Sequence, residues 1–376
     1  MWRWTCTQEH RRRFAGPGSA VLMLGLLLSL AGQAAAQGFA DPLETPAPRY
    51  ADGLAGLPIQ ALANTGEALL AVGLRGVILR SEDAGRHWQQ MPVPLSSDLL
   101  DVSFVSPQHG WVVGQDGVIL ASEDGGRTWT RQFDGRQALE QLSRYYQDDT
   151  ALEPQARDAY LDQLRTNLQA GPVLPFFSVR FVDDRHGFAV GPFGMFVASD
   201  DGGQHWRPAL HQIDNPDFLH LNAIAQVGEH LFITSEQGIV FKADRSGAHF
   251  RPVSTGHVGS FFSLAGHGDV LLAGGLGGVL YASHDQGESW HALKSPLTQL
   301  VSRIEFDLRA QRFTAITAGG EVLELSADFS RSSLRQSAAP MLYTDVLSLP
   351  GQVIYAGIQG LRPDSAEPVQ PSRGEQ

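Results

Sequence analysis

Ser122-Glu123-Asp124-Gly125-Gly126-Arg127-Thr128-Trp129 decides the fold, because the chain writes this stretch four times. Ser81 to Trp88 precedes it, and Ser199 to Trp206 and Ser283 to Trp290 follow, all reading S-x-D-x-G-x-x-W. This pattern, an Asp-box, specifies a tight turn between two strands. The side chains of Ser81 and Asp83, Ser122 and Asp124, Ser199 and Asp201, and Ser283 and Asp285 can bond the turn's own backbone N–H groups. Gly85, Gly126, Gly203 and Gly287 supply the positive φ that such a turn demands. Trp88, Trp129, Trp206 and Trp290 each leave the turn as the first large anchor of the next strand. The spacing departs from the EF-hand loop, so the acids read as turn-builders and not as calcium ligands or catalysts.

Outward from the boxes the chain repeats. The box aspartates Asp83 and Asp124 lie 41 residues apart, and two weakened copies, Ala243 to Phe250 and Ser326 to Ser330, keep the rhythm. Each unit runs apolar strand, turn, a second strand ending in G-x-x-G, a third strand, the box, and a fourth strand from the tryptophan. A phosphate loop would need a helix and a basic residue after it, whereas the glycine pairs 73/76, 114/117, 191/194, 275/278 and 357/360 are followed by strands, so they read as hairpin glycines. Four strands per unit of this length predict an all-β fold, a β-propeller. Units fall near 59–91, 99–133, 175–210, 219–253, 260–293 and 300–335, with a truncated seventh at 341–365. Seven blades is the count, with six or eight as alternatives. The seventh lacks an outer strand, which the lead-in 37–56 could supply, closing the ring in one sheet.

Residues 134–172 break the repeat. Leu139, Leu142, Tyr145 and Tyr146 recur at helical spacing, Glu153-Pro154 marks a break, and Tyr160, Leu161, Leu164 and Leu168 resume it. This predicts a two-helix excursion between blades 2 and 3, either a tolerated surface insertion or a docking element.

The first 36 residues are not part of the fold. Arg3 and Arg11 to Arg13, the apolar run Ser19 to Ala31, and Ala34-Ala35-Ala36 form a signal peptide, predicting cleavage near Ala36-Gln37 and a periplasmic product. The apolar run is too short to span a membrane. Cys6, the only cysteine, precedes it, so the mature chain has no disulfide, lipobox cysteine or thiol nucleophile. Loss of four Arg and one Glu moves the formal net charge from −12 to −15. Such an acidic chain, with Lys242 and Lys294 its only lysines, is a poor nucleic-acid binder. The thirteen histidines show no ligand spacing, so no metal and no cofactor is expected. Residues 366–376 read as a disordered tail, and the product as a monomer.

His109-Gly110-Trp111-Val112-Val113-Gly114 running on to Trp129, and His186-Gly187-Phe188-Ala189-Val190-Gly191 running on to Trp206, narrow the field. The combination resembles the photosystem II stability/assembly factor family, over nearly all of residues 57–360 and most specifically in blades 2 and 3. The resemblance implies a non-enzymatic seven-bladed scaffold that binds membrane-protein subunits, or an envelope complex, during assembly. The helical excursion departs from that family's pattern, and so does the excess of acid over arginine and lysine.

Asp-boxes also occur in sialidase-like glycosidases, which need three converging arginines, an acid and a Tyr/Glu pair near the axis. The inner-strand candidates are Arg180, Arg303, Glu305, Asp345 and Tyr343, which supply two arginines and no triad. The glycosidase, and a propeller that only binds glycan, stand as the alternatives. Arg180, Arg303 and Glu305 read either as polar filling near the channel or, with Tyr145 and Tyr146, as client-binding residues.

Overall fold

The computed structural model describes residues 40–336 and 341–365. The leader 1–36 with Cys6, the cleavage site at Ala36-Gln37, residues 37–39 of the lead-in and the tail 366–376 lie outside the described residues. Seven antiparallel sheets follow one another along the chain, six of four strands and a seventh of three. Their innermost strands are Ile59–Asn64, Leu99–Phe104, Ser178–Phe181, Leu221–Val227, Phe261–His267, Val301–Asp307 and Tyr343–Leu349. Strand order within each sheet is sequence order, so every blade is a plain meander and the fold is a seven-bladed β-propeller.

The repeated motifs have local physical causes. After the second strand of blade 1, Val77 N–H bonds Leu74 C=O at 3.3 Å, with Arg75 and Gly76 both at positive φ (58° and 73°). Two consecutive positive φ values make a type I′ turn, whose twist matches that of the flanking strands. Asp116-Gly117, Phe193-Gly194, Gln237-Gly238 and Gly277-Gly278 repeat it. The glycine of the H-G-aromatic motif has a different origin. A Cβ on Gly110 would lie 2.4 Å from the Phe104 ring, and one on Gly187 would lie 2.3 Å from Phe181. The aromatic beside it then reaches across a blade junction: Trp111 stacks on Phe181 and donates its indole N–H to Gly202 C=O at 3.2 Å.

Each Asp-box is the turn from third to fourth strand. Ser122 Oγ donates to Asp124 Oδ1 at 2.9 Å and accepts Gly126 N–H at 2.8 Å, while Thr128 N–H bonds Asp124 Oδ1 at 2.9 Å. The boxes at Ser81, Ser199 and Ser283 repeat these three bonds. The box glycine also touches the preceding blade. Cβ atoms on Gly126, Gly287 and Gly85 would come within 2.7, 2.6 and 2.6 Å of Leu70, Phe232 and Ile354, each on a second strand. One turn thus ends a hairpin and seals a blade junction.

The lead-in does not complete blade 7. Ala47 N–H bonds Val93 C=O, Ser96 N–H bonds Pro42 C=O and Tyr50 N–H bonds Gln90 Oε1, which lays residues 42–50 along the outer edge of blade 1. Among the described residues blade 7 keeps three strands, and Pro363 within its last strand removes one edge donor. The ring closes through side chains. Leu347, Leu349, Ile354 and Ala356 pack on Ile59, Leu62, Leu69 and Ala71 of blade 1, and Asp345 Oδ2 accepts Leu62 N–H at 2.8 Å.

The excursion forms two helices, α1 (Gly135–Asp148) and α2 (Pro154–Leu168). Asp134 caps α1 by accepting Arg136 N–H, and Pro154 opens α2 at its first turn, where a missing N–H costs nothing. Leu142, Tyr146 and Leu164 are fully buried against Trp206, Leu210 and Met195 of blade 3. Blade 3's outer strand is only Arg207–Pro208, and the helices cover the face that it leaves bare.

Candidate functional site

The innermost strands line an axial channel, and a bulge near the start of six of them aims consecutive side chains into it. Gln60, Leu100, Phe177, Asn222, Phe262, Ser302 and Thr344, one from each blade, surround the mouth on the face that carries the links between blades. The mouth is apolar at Leu100, Phe177, Phe262 and Leu300, and encloses about 250 Å³.

One residue further along lie Asp101, Ser178, Ser263 and Asp345, which stitch blade to blade. Asp101 Oδ2 accepts Val179 N–H (3.0 Å) and Ser178 Oγ–H (2.7 Å), Ser178 Oγ accepts Ile224 N–H (3.3 Å), and Ser263 Oγ accepts Ile304 N–H (2.8 Å). Asp345 does the same for Leu62 across the closing junction. Each bond satisfies an inner-strand amide that faces the neighbouring blade.

Arg303 belongs to this layer. Its Nε lies 3.0 Å from Asp345 Oδ1. Asp345 raises the Arg303 pKa further, against the cost of burial, with Asp101 and Glu305 adding to it. Burial pushes the Asp345 carboxyl up, opposed by Arg303 and by the amides of Leu62 and Val346. A turn deeper, Glu305 accepts Ser348 N–H at 2.9 Å and Ser348 Oγ–H at 2.7 Å. Burial outweighs these bonds and pushes its carboxyl up to about 7. Among the described residues Arg180 makes no ion pair, and its buried Nε has no hydrogen-bond partner. Burial lowers its pKa, Asp101 opposes this, and nearby Arg303 adds to it.

The structure therefore brings Arg180, Arg303, Glu305 and Asp345 together at the axis and leaves Tyr343 out. Tyr343 is buried between blades, 5.2 Å from the Tyr355 ring. A glycosidase arrangement is not assembled among the described residues: two arginines converge, and both oxygens of Glu305 and of Asp345 already serve as acceptors for the scaffold. No group of three or more His, Cys, Asp or Glu among the described residues is placed to hold a metal ion.

Tyr146, read from sequence as client-binding, is fully buried and cannot meet a client without unpacking α1. Its hydroxyl lies 3.1 Å from His211 Nδ1, and burial raises its pKa out of the physiological range. Tyr145 is half-buried and stacks on His211. Sequence reasoning missed the stitching set Asp101, Ser178 and Ser263. The equivalent positions, Ala61, Asp101, Ser178, Ala223, Ser263, Arg303 and Asp345, share no residue type, so no sequence signal marks the set.

Exposed apolar side chains favour the mouth's face. Phe193, Leu276 and Ile358, in turns between second and third strands, share it with Val173, Val258 and Leu342, in links between blades. Among the described residues the other large exposed apolar side chains are Leu308 and Leu334.

Comparisons with known proteins agree with this architecture. A family model described as "Photosynthesis system II assembly factor YCF48" matches residues 59–147 and 165–305. The gap between the two matches falls within the helical excursion. A photosystem II assembly lipoprotein Ycf48 of Synechococcus sp. (strain CC9902) is 30% identical over 128 residues, covering 33% of this chain and 37% of that protein. The chain thus matches well under two thirds of that relative's length. A structure described as YCF48 bound to D1 peptide superposes with a TM-score of 0.60 at 15% identity, covering 86% of this chain and 99% of that one. YCF48 from Cyanidioschyzon merolae gives 0.57 at 14% identity, covering 84% and 97%.

Proposed function

This chain belongs to the photosystem II assembly factor Ycf48 family, and from that premise we propose that it is a non-enzymatic, exported scaffold that binds membrane-protein subunits, or an envelope complex, during assembly. The observation that carries the reading is the family match over residues 59–147 and 165–305, which spans blades 1 to 5 and enters the sixth. A solved relative described as bound to D1 peptide supports a peptide segment as the kind of ligand. The channel mouth is the favoured place for the client. Its apolar side chains, with Arg303 in its wall, suit a segment carrying both apolar and acceptor groups. The acids at the axis already hold blades together, which supports binding and not turnover. Among the described residues no helix is long and apolar enough to cross a membrane.

Affinity isolation of the tagged protein from gently solubilised membranes tests the reading. Integral membrane subunits not yet in their mature complex should be recovered. Recovery of none, or hydrolysis of sialosides by the purified protein, would overturn it.

A further inference from the structure

The turns from second to third strand in blades 1, 2, 4 and 5 begin with Arg75, Asp116, Gln237 and Gly277, each at positive φ. All four are polar residues or glycine. Blade 3 places Phe193 there, at φ 53°. A bulky ring on a left-handed backbone is strained, and it persists only where the surroundings hold it. The helical excursion does the holding. Gln163 Nε2 and Asn167 Nδ2 of α2 donate to Phe193 C=O at 3.2 and 3.1 Å, and Gln163 also donates to Asn167 Oδ1 at 3.0 Å. Asn167 is 6% exposed, so packing fixes its amide.

The ring so held is not packed away. Phe193 is 46% exposed on the mouth's face and meets the His220 ring edge to face, 4.6 Å between centroids. A second phenylalanine at positive φ stands beside it. Phe218 (φ 48°) is half-buried, and a Cβ on Gly194 would come within 3.1 Å of its ring.

This cluster is continuous with the channel mouth. Phe177 N–H bonds Val190 C=O at 2.8 Å, and Leu221 N–H bonds Gly191 C=O at 3.1 Å. The chain entering the Phe193 turn therefore runs between Phe177 and Asn222, both of which line the mouth. The surroundings are acidic: exposed Asp217 adjoins Phe218, and Glu236 accepts His220 N–H at 2.9 Å. Such a rim repels an anionic bilayer surface and suits an apolar side chain with a basic neighbour.

We propose that Phe193, with Phe218 and His220, is a rim anchor for an apolar side chain of the client's extended segment, beside a basic residue drawn by Asp217 and Glu236. Gln163 and Asn167 are positioning residues that present the ring. The inference rests on the mouth as the client's place, and it gives the excursion a part in binding beyond its packing on blade 3.

Short synthetic peptides tiling the host's integral membrane proteins are the probe, arrayed first and then titrated by fluorescence anisotropy. Phe193→Gly gives blade 3 the Gly-Gly turn of blade 5 and relieves the strained backbone. It should therefore melt no lower than the parent, yet bind the selected peptides about tenfold or more weakly. Asn167→Ala should weaken binding in the parent and add nothing once Phe193 is glycine, whereas a merely structural role would lower binding equally in both. Replacing the peptide's basic residue by glutamine should weaken binding to the parent. Peptides bound equally well by Phe193→Gly would overturn the anchor and leave the mouth standing as the client's place. Peptides bound by neither protein would overturn both. Phe193-dependent binding to phosphatidylglycerol vesicles in place of peptides would also overturn the anchor, since its occupant would then be a bilayer.

Discussion

Asp345 on the last blade accepts the Leu62 amide on the first at 2.8 Å while holding Arg303 Nε at 3.0 Å. One carboxylate therefore closes the ring and anchors the channel's cation. Asp345→Ala leaves two inner-strand amides and a guanidinium without their acceptor, and should cost about 3–5 kcal/mol. Asp345→Asn keeps an acceptor for Leu62 and should cost less. Urea unfolding monitored by tryptophan fluorescence distinguishes the two.

The boxes give graded expectations. Trp129 is 5% exposed and donates to Gly126 C=O at 3.1 Å, so Trp129→Ala should cost about 3–5 kcal/mol. Asp124→Ala removes turn hydrogen bonds only, for about 1–2 kcal/mol. Trp206 is as buried, but its indole N–H has no partner among the described residues. Trp206→Phe should therefore be milder than Trp129→Phe. Thermal melts of the four variants check the order.

Glu305 links stability to pH. Its carboxyl, pushed up to about 7 by burial, binds its proton more tightly folded than unfolded. Its contribution is whole below the usual pKa near 4.5 and is lost as pH rises through 7. Glu305→Gln should flatten the melting temperature between pH 5 and 8 and raise stability at pH 8 by on the order of 2 kcal/mol, channel water reducing the full value. An unchanged pH profile would remove Glu305 from this role.

The helices now carry a structural expectation. Leu142 and Leu164 are fully buried against blade 3, so Leu142→Ala should cost about 2–5 kcal/mol. Excising residues 136–170 should expose Trp206 and Leu210, and produce a chain that melts well below the parent or aggregates. A melting point within a few degrees of the parent would return the excursion to the status of a tolerated insertion.

Most of the blade boundaries were legible because a box, a glycine pair or both punctuate most of the repeats at fixed offsets. Three things were not. The lead-in's place on blade 1 depends on Gln90 and on the backbone of Val93 and Ser96, groups without a motif. The burial of Tyr146 follows from the brevity of blade 3's outer strand, which periodicity cannot report. The stitching layer needs a bulge in nearly every inner strand, and a bulge leaves no residue type behind. Arg180, Arg303 and Glu305 could be placed on inner strands, but not the bonds that divide them into anchored and spare groups.

The most direct test of the account places a photo-crosslinking amino acid at Phe177 in the channel mouth, with Leu308 on the opposite face as the control. The chain is expressed in its own host and irradiated just after a pulse of labelled amino acid. The account predicts labelled, newly made integral membrane subunits attached at Phe177 and absent at Leu308. Equal attachment at both positions, or attachment at neither, would contradict it.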